Sequence, residues 1–142
     1  MASKLEVTID IIVHATEDIS KILQPFKELF ELDEENFTLQ ETTGHFENPI
    51  ILLKAQIEKK YAQKFMEKML KLLSSQQVDD LIEEIEERTV DSRFHMRLDK
   101  QELIRGKVIV KESDTIKLKI HTPIYNKKDT VRLFTKIFQI AN

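Results

Sequence analysis

An α+β fold, with helices packed on one face of a largely antiparallel sheet, follows from three observations. Residues 4–14, 93–98 and 116–121 alternate apolar and polar side chains with a period of two. Other stretches place apolar residues at helical spacing. Strands also follow one another in hairpin-like succession, without the regular strand–helix alternation of a parallel sheet. At 142 residues the chain is expected to form one domain over 1–142, since no internal repeat or linker interrupts it. Hydrophobic residues at 41% and charged residues at 33% describe a chain able to bury a core, not a disordered tail.

The elements are justified in order. In the first strand Leu5, Val7, Ile9, Ile11 and Val13 face one way, and Glu6, Thr8, Asp10 and His14 the other. Thr16 is the expected N-cap of a helix burying Ile19, Ile22, Leu23, Phe26, Leu29 and Phe30, with Pro25 predicting a kink or break near Gln24. A strand over 37–42 turns Phe37 and Leu39 inward. After the Gly44–Pro49 loop, the apolar run Ile50–Ala55 reads as a central strand buried on both faces. Ile57, Tyr61, Phe65, Met66, Met69, Leu70 and Leu73 mark a helix. Ser74 with Gln77 suggests a capping box for the next, which buries Val78, Leu81, Ile82 and Ile85.

Three basic strands are expected over 93–122. Phe94, Met96 and Leu98 oppose Arg93, His95 and Arg97. Val108 and Val110 oppose Lys107 and Lys111. Ile116, Leu118 and Ile120 oppose Lys117, Lys119 and His121. Between the first two strands, residues 99–105 allow little more than a helical turn, ended by Gly106. A final helix from about Asp129 turns Val131, Phe134, Ile137 and Phe138 inward.

Charge is distributed unevenly. Residues 1–87 carry 9 Lys/Arg against 19 Asp/Glu, whereas residues 88–142 carry 13 against 6, within a net charge of −3. A basic binding surface on an acidic body is the expectation, although lysines on exposed strands also serve to block edge pairing.

Catalytic and metal chemistry find no support in these residues. The chain has no cysteine, which excludes disulfides, thiolate metal sites and cysteine nucleophiles. His14, His45, His95 and His121 are scattered singly, without ligand spacing. Gly44 and Gly106 stand alone, so there is no glycine-rich phosphate loop. The expectation is a non-enzyme without a cofactor or metal. No apolar run approaches the roughly 18 residues of a membrane span, and no signal peptide is evident, so a cytoplasmic location is expected.

Three stretches together carry a family resemblance: Val13-His14-Ala15-Thr16-Glu17-Asp18, Gly44-His45-Phe46-Glu47-Asn48-Pro49-Ile50, and Arg97-Leu98-Asp99-Lys100-Gln101 followed by Gly106. In order and spacing they resemble an archaeal RNA-binding family described as a predicted exosome subunit. The resemblance spans nearly the whole chain, and the Asp-Lys-Gln motif is its most specific piece. It implies a fold similar to ribosomal protein L5, a role in RNA binding, and exosome or ribosome-related protein partners.

Arg93, His95, Arg97, Lys100, Arg105, Lys107, Lys111, Lys117 and Lys119 are the expected RNA contacts, because cations neutralise phosphate and release counterions. Asp99 and Gln101, with His14 and His45, lie in the motif stretches. They can meet RNA or satisfy nearby backbone, and spacing does not separate these roles. Few aromatic residues fall on the basic face, which favours structured or double-stranded RNA over stacked single strands. The rival expectation is a protein-interaction module using the acidic helices of residues 58–87. An edge strand that needs covering leaves a homodimer open.

Overall fold

The computed structural model describes residues 4–43, 48–113 and 115–140. Six strands form one sheet: β1 (Glu6–His14), β2 (Phe37–Thr43), β3 (Pro49–Glu58), β4 (Thr89–Val90), β5 (Arg93–Asp99) and β6 (Thr115–His121). Their order is β2-β3-β1-β6-β5-β4, and every neighbouring pair is antiparallel. Six helices accompany them: α1 (Ile19–Phe30), α2 (Lys59–Leu72), α3 (Ser75–Glu83), α4 (Ile85–Arg88), α5 (Lys100–Ile104) and α6 (Thr130–Phe138). This is the expected α+β class.

Alternation in the strands determines which face the helices cover. Val7, Ile9, Ile11 and Val13 of β1 are buried, as are Phe94, Met96 and Leu98 of β5 and Ile116, Leu118 and Ile120 of β6. Helical residues meet them from one side, and apolar burial of this kind stabilises by roughly 25 cal/mol per Å². Two aromatic clusters tie the layers together. Phe26 links Phe30 and Phe37 at ring-centroid distances of 5.8 and 5.3 Å, and Phe94 meets Phe134 and Phe138 at 5.7 and 4.7 Å. Among the described residues, no helix covers the opposite sheet face, where Arg93, His95 and Lys117 are exposed.

Several local expectations are corrected. The N-cap of α1 is Asp18, not Thr16; its Oδ1 accepts the Ser20 amide at 2.9 Å. The α1 helix runs through Pro25 without a break, because Pro25, Phe26 and Phe30 are all buried against the core. The apolar run in β3 is covered on one side only: Leu53 and Ala55 are buried, while Ile50 and Leu52 remain half-buried on the open face. Leu39 points to the helical side but lies on edge strand β2 beyond the helices, and is exposed. Tyr61 and Val131 are exposed, not inward.

The largest correction concerns residues 107–111. They form no full strand between β5 and β6, which pair directly with each other. This segment instead lies on the outer edge of β5 beyond β4, through a bridge of Leu98 with Val110. The Asp99 amide donates to the Ile109 carbonyl at 2.8 Å, and the Lys111 amide to that of Arg97 at 3.1 Å. Gln77 Oε1 takes the Val110 amide at 2.9 Å, so the other side of the segment is bonded to α3. Gly106 makes the approach possible. At φ +85° it closes α5, with its amide on the Leu103 carbonyl and the Lys107 amide on that of Glu102.

Candidate nucleic-acid interface

On the uncovered face, β5 and β6 place their polar residues in register. Arg97 lies opposite Lys117, His95 opposite Lys119, and Arg93 opposite His121. Same-face residues recur about every 6.7 Å along a strand, and adjacent strands lie about 4.8 Å apart. The result is a two-column ladder of basic side chains. Lys117, Arg93 and His95 are exposed, and Arg97 and Lys119 half-buried.

Neighbouring strands bound this strip. On β1, Asp10 sits opposite both Lys54 and Lys117, with Lys54 Nζ 3.9 Å from its Oδ1. Ile12 of β1 and Leu52 of β3 make the adjoining surface apolar. A shallow hollow of about 660 Å³ lies over the strip, lined by Asp10, Arg97, Lys117, His95 and Lys119, with Arg88 and Glu112 on its β4 side. Arg88 is a structural cation: its guanidinium donates to Glu84 Oε1 at 3.0 Å and to Glu112 Oε1 at 2.8 Å. It fastens the 112 region to α4; in the ladder itself, Arg97 donates to the Glu112 carbonyl at 3.4 Å and Arg93 to the Asp91 carbonyl at 3.2 Å.

The ladder perturbs its own histidine. Burial against the sheet pushes the His95 pKa below the ordinary value, and the charges of Lys119, Arg93 and Arg97 push the same way. Solvent still reaches the residue, so these neighbouring cations weigh alongside burial. An incoming phosphate would oppose them.

The remaining expected cations lie elsewhere. Lys100 is 1% exposed and points inward. Its Nζ donates to the Ile12 carbonyl and to Glu17 Oε1, both at 2.8 Å, so it is no phosphate ligand. The physical reason is that β5 ends at Asp99, where a helical turn breaks the alternation and swings the next side chain under the β1–α1 corner. Arg105 is exposed beside α1, paired with Glu102 at 3.1 Å, and Lys107 is exposed past Gly106; neither belongs to the ladder. Lys111 Nζ is 3.4 Å from Asp99 Oδ2.

The motif residues converge structurally. Glu17, present in the first motif but not among the expected site residues, accepts Lys100 Nζ and the His14 amide on Oε1, and Gln101 Nε2 on Oε2 at 3.5 Å. Asp99 caps α5, its Oδ1 accepting the Glu102 amide at 3.0 Å. Burial raises the Asp99 pKa, but that amide and the Lys111 ammonium outweigh it and hold the carboxyl below its ordinary value. An acid inside one motif and a lysine inside the other was the available signal for this clasp. His14 pairs with Ile50, so the second motif returns to the same end of the sheet. His45 lies outside the described residues.

With this geometry established, comparison with known proteins places the chain. A protein family described as RNA binding matches residues 6–122. The chain belongs to this RNA-binding family. It is 34% identical over 125 residues to "RNA-binding protein PAB1135" of Pyrococcus abyssi, covering 82% of this chain and 81% of that protein. An uncharacterized Methanocaldococcus jannaschii protein, MJ0213, is 34% identical over 132 residues, with 85% and 88% covered. Among solved structures, DUF54 protein AF2318 from Archaeglobus fulgidus superposes with a TM-score of 0.80 at 26% identity, covering 93% of this chain and 97% of that one. Among the described residues of this family member, no helix is long and apolar enough to cross a membrane.

Proposed function

We propose that the protein binds structured or double-stranded RNA through its phosphate backbone, along the strip formed by Arg93, His95 and Arg97 of β5 and Lys117 and Lys119 of β6. The observation that carries this reading is the register that sets basic residues side by side in two columns on the sheet face without helices. Asp10 and the apolar pair Ile12 and Leu52 flank the strip, so a polyanion is favoured parallel to β5 and β6 over a path across the sheet. Lys and Arg contacts of this kind supply affinity without reading sequence. Family membership supports RNA as the polyanion.

In this reading the protein binds RNA without acting on it chemically. Its setting is a cytoplasmic RNA-processing assembly of the exosome kind, which the motif resemblance supports. The test compares an RNA hairpin, an RNA single strand and a DNA duplex by fluorescence anisotropy, using wild type and the double variant K117E/K119E. The hairpin is expected to bind most tightly, and charge reversal to abolish retention while the circular dichroism spectrum stays unchanged. Equal binding by the folded variant would overturn the strip as the contact surface. Absence of binding even at low salt would overturn RNA binding itself and turn attention to a protein partner.

A further inference from the structure

An exposed aromatic ring follows the end of β6 in the chain. Seven of the eight phenylalanines are buried in the core, and Phe46 lies outside the described residues. The chain has no tryptophan and two tyrosines. One of them, Tyr125, is 88% exposed, the most open of the large hydrophobic side chains described. It stands four residues beyond His121, the last residue of β6, and its hydroxyl meets Lys4, two residues ahead of the Glu6 that pairs with His121.

This position is built, not frayed. Past β6, the Thr122 amide donates to the Ser92 carbonyl at 3.4 Å, carrying the chain on beside the start of β5. The next turn is closed on itself: Asn126 Oδ1 accepts the Lys128 amide at 3.1 Å, and the Asp129 amide donates to the Asn126 carbonyl at 2.9 Å. Lys4, just ahead of β1, donates from Nζ to the Tyr125 hydroxyl at 3.4 Å, holding the phenol by its edge. Lys127 and Lys128 follow directly and are both exposed. A planar ring that meets Lys4 at its hydroxyl and is followed in the chain by two more lysines suits an unpaired nucleobase: the ring gives a sequence-tolerant stacking surface and the Lys4 ammonium a cation for the adjoining phosphate.

Building on the RNA-binding reading above, we propose that Tyr125 is a stacking platform for an unpaired nucleotide where a bound RNA duplex frays into single strand. The ladder holds the paired backbone, and Tyr125 takes the first base that leaves it. The preferred ligand is therefore a hairpin with a single-stranded extension, not a blunt hairpin.

The experiment uses the chain carrying Tyr61→Phe, which leaves Tyr125 as its single tyrosine and so the source of its tyrosine emission. Three RNA probes are compared: a blunt hairpin, and the same hairpin with a short unpaired extension on its 5′ side or its 3′ side. One of the extended probes is expected to bind on the order of tenfold tighter than the blunt one and to quench tyrosine emission. Adding Tyr125→Ala should erase that gain and leave blunt-hairpin affinity unchanged. Tyr125→Phe, tested in the protein that keeps Tyr61, should retain the gain, because the ring remains. If all three probes bind alike, or the Tyr125→Ala protein keeps the gain, the platform is overturned while strip binding stands. If no probe binds, both readings fall together.

Discussion

At the scale of single residues, His95 gives the interface a pH dependence whose sign is fixed by its neighbours. In the free protein, burial and then Lys119, Arg93 and Arg97 keep its pKa below the ordinary histidine value of 6.5. RNA phosphate on the strip screens those cations and adds negative charge, so the bound state holds a proton that the free state lacks. Affinity should therefore rise as pH falls through 6.5 and below, by at most tenfold per pH unit for one proton. His95→Gln should flatten that dependence while leaving affinity at pH 8 nearly unchanged, as anisotropy titrations across pH will show. The alternation Arg93-Phe94-His95-Met96-Arg97 made this residue's outward placement legible in the sequence. Its perturbation was not legible, because Lys119 is brought beside it by strand register alone.

At the scale of elements, the Asp-Lys-Gln turn is a fastening. Lys100 joins α5 to the β1–α1 corner across 83 residues of chain through Glu17, and its second bond holds the Ile12 carbonyl. A buried ion pair adds little over a well-packed apolar pair, but removing one partner strands the other charge. Lys100→Met should cost roughly 3–5 kcal/mol in urea denaturation, and adding Glu17→Gln should recover part of it. The folded Lys100→Met protein should bind RNA with unchanged affinity and salt slope, whereas loss of a phosphate-contacting lysine would lower both. Sequence reasoning allowed a helical turn over 99–105 yet still counted Lys100 among the RNA contacts, because nothing in the motif shows where that turn aims its first side chain. The segment 107–111 misled in the same way. Its Val108 and Val110 alternate like a strand, but α5 and Gly106 deliver it to the far edge of β5 with only one bridge formed.

At the scale of the whole molecule, the fold gathers part of the chain's basic charge into one strip on one face of the sheet. The imbalance between residues 1–87 and 88–142 was visible in the sequence. It becomes a strip only because β6 pairs between β1 and β5. With Arg93, Arg97, Lys117 and Lys119 as its permanent cations, the strip predicts a plot of log affinity against log salt with a slope near −3 to −4. Duplex and hairpin titrations from low to moderate salt test this, and a slope near zero would remove backbone contact as the source of affinity. The acidic remainder of a chain with net charge −3 repels the same polyanion, so orientation is selected during approach.

The sheet order also determines when this surface comes into existence. β1 is the first strand in the chain and sits in the middle of the sheet, where its Ile9 must find Leu118 and its Ile11 must find Ile116. Loop closure over such separations is slow, and until it happens one edge of β1 stays unpaired with Val7, Ile9, Ile11 and Val13 beside it. A ribosome-bound chain therefore carries an unfinished, adhesive sheet until residues 115–121 have been synthesised. The basic ladder and the cover for that edge both need the same strand, β6, so the binding strip and the closing of the aggregation hazard wait on one late segment.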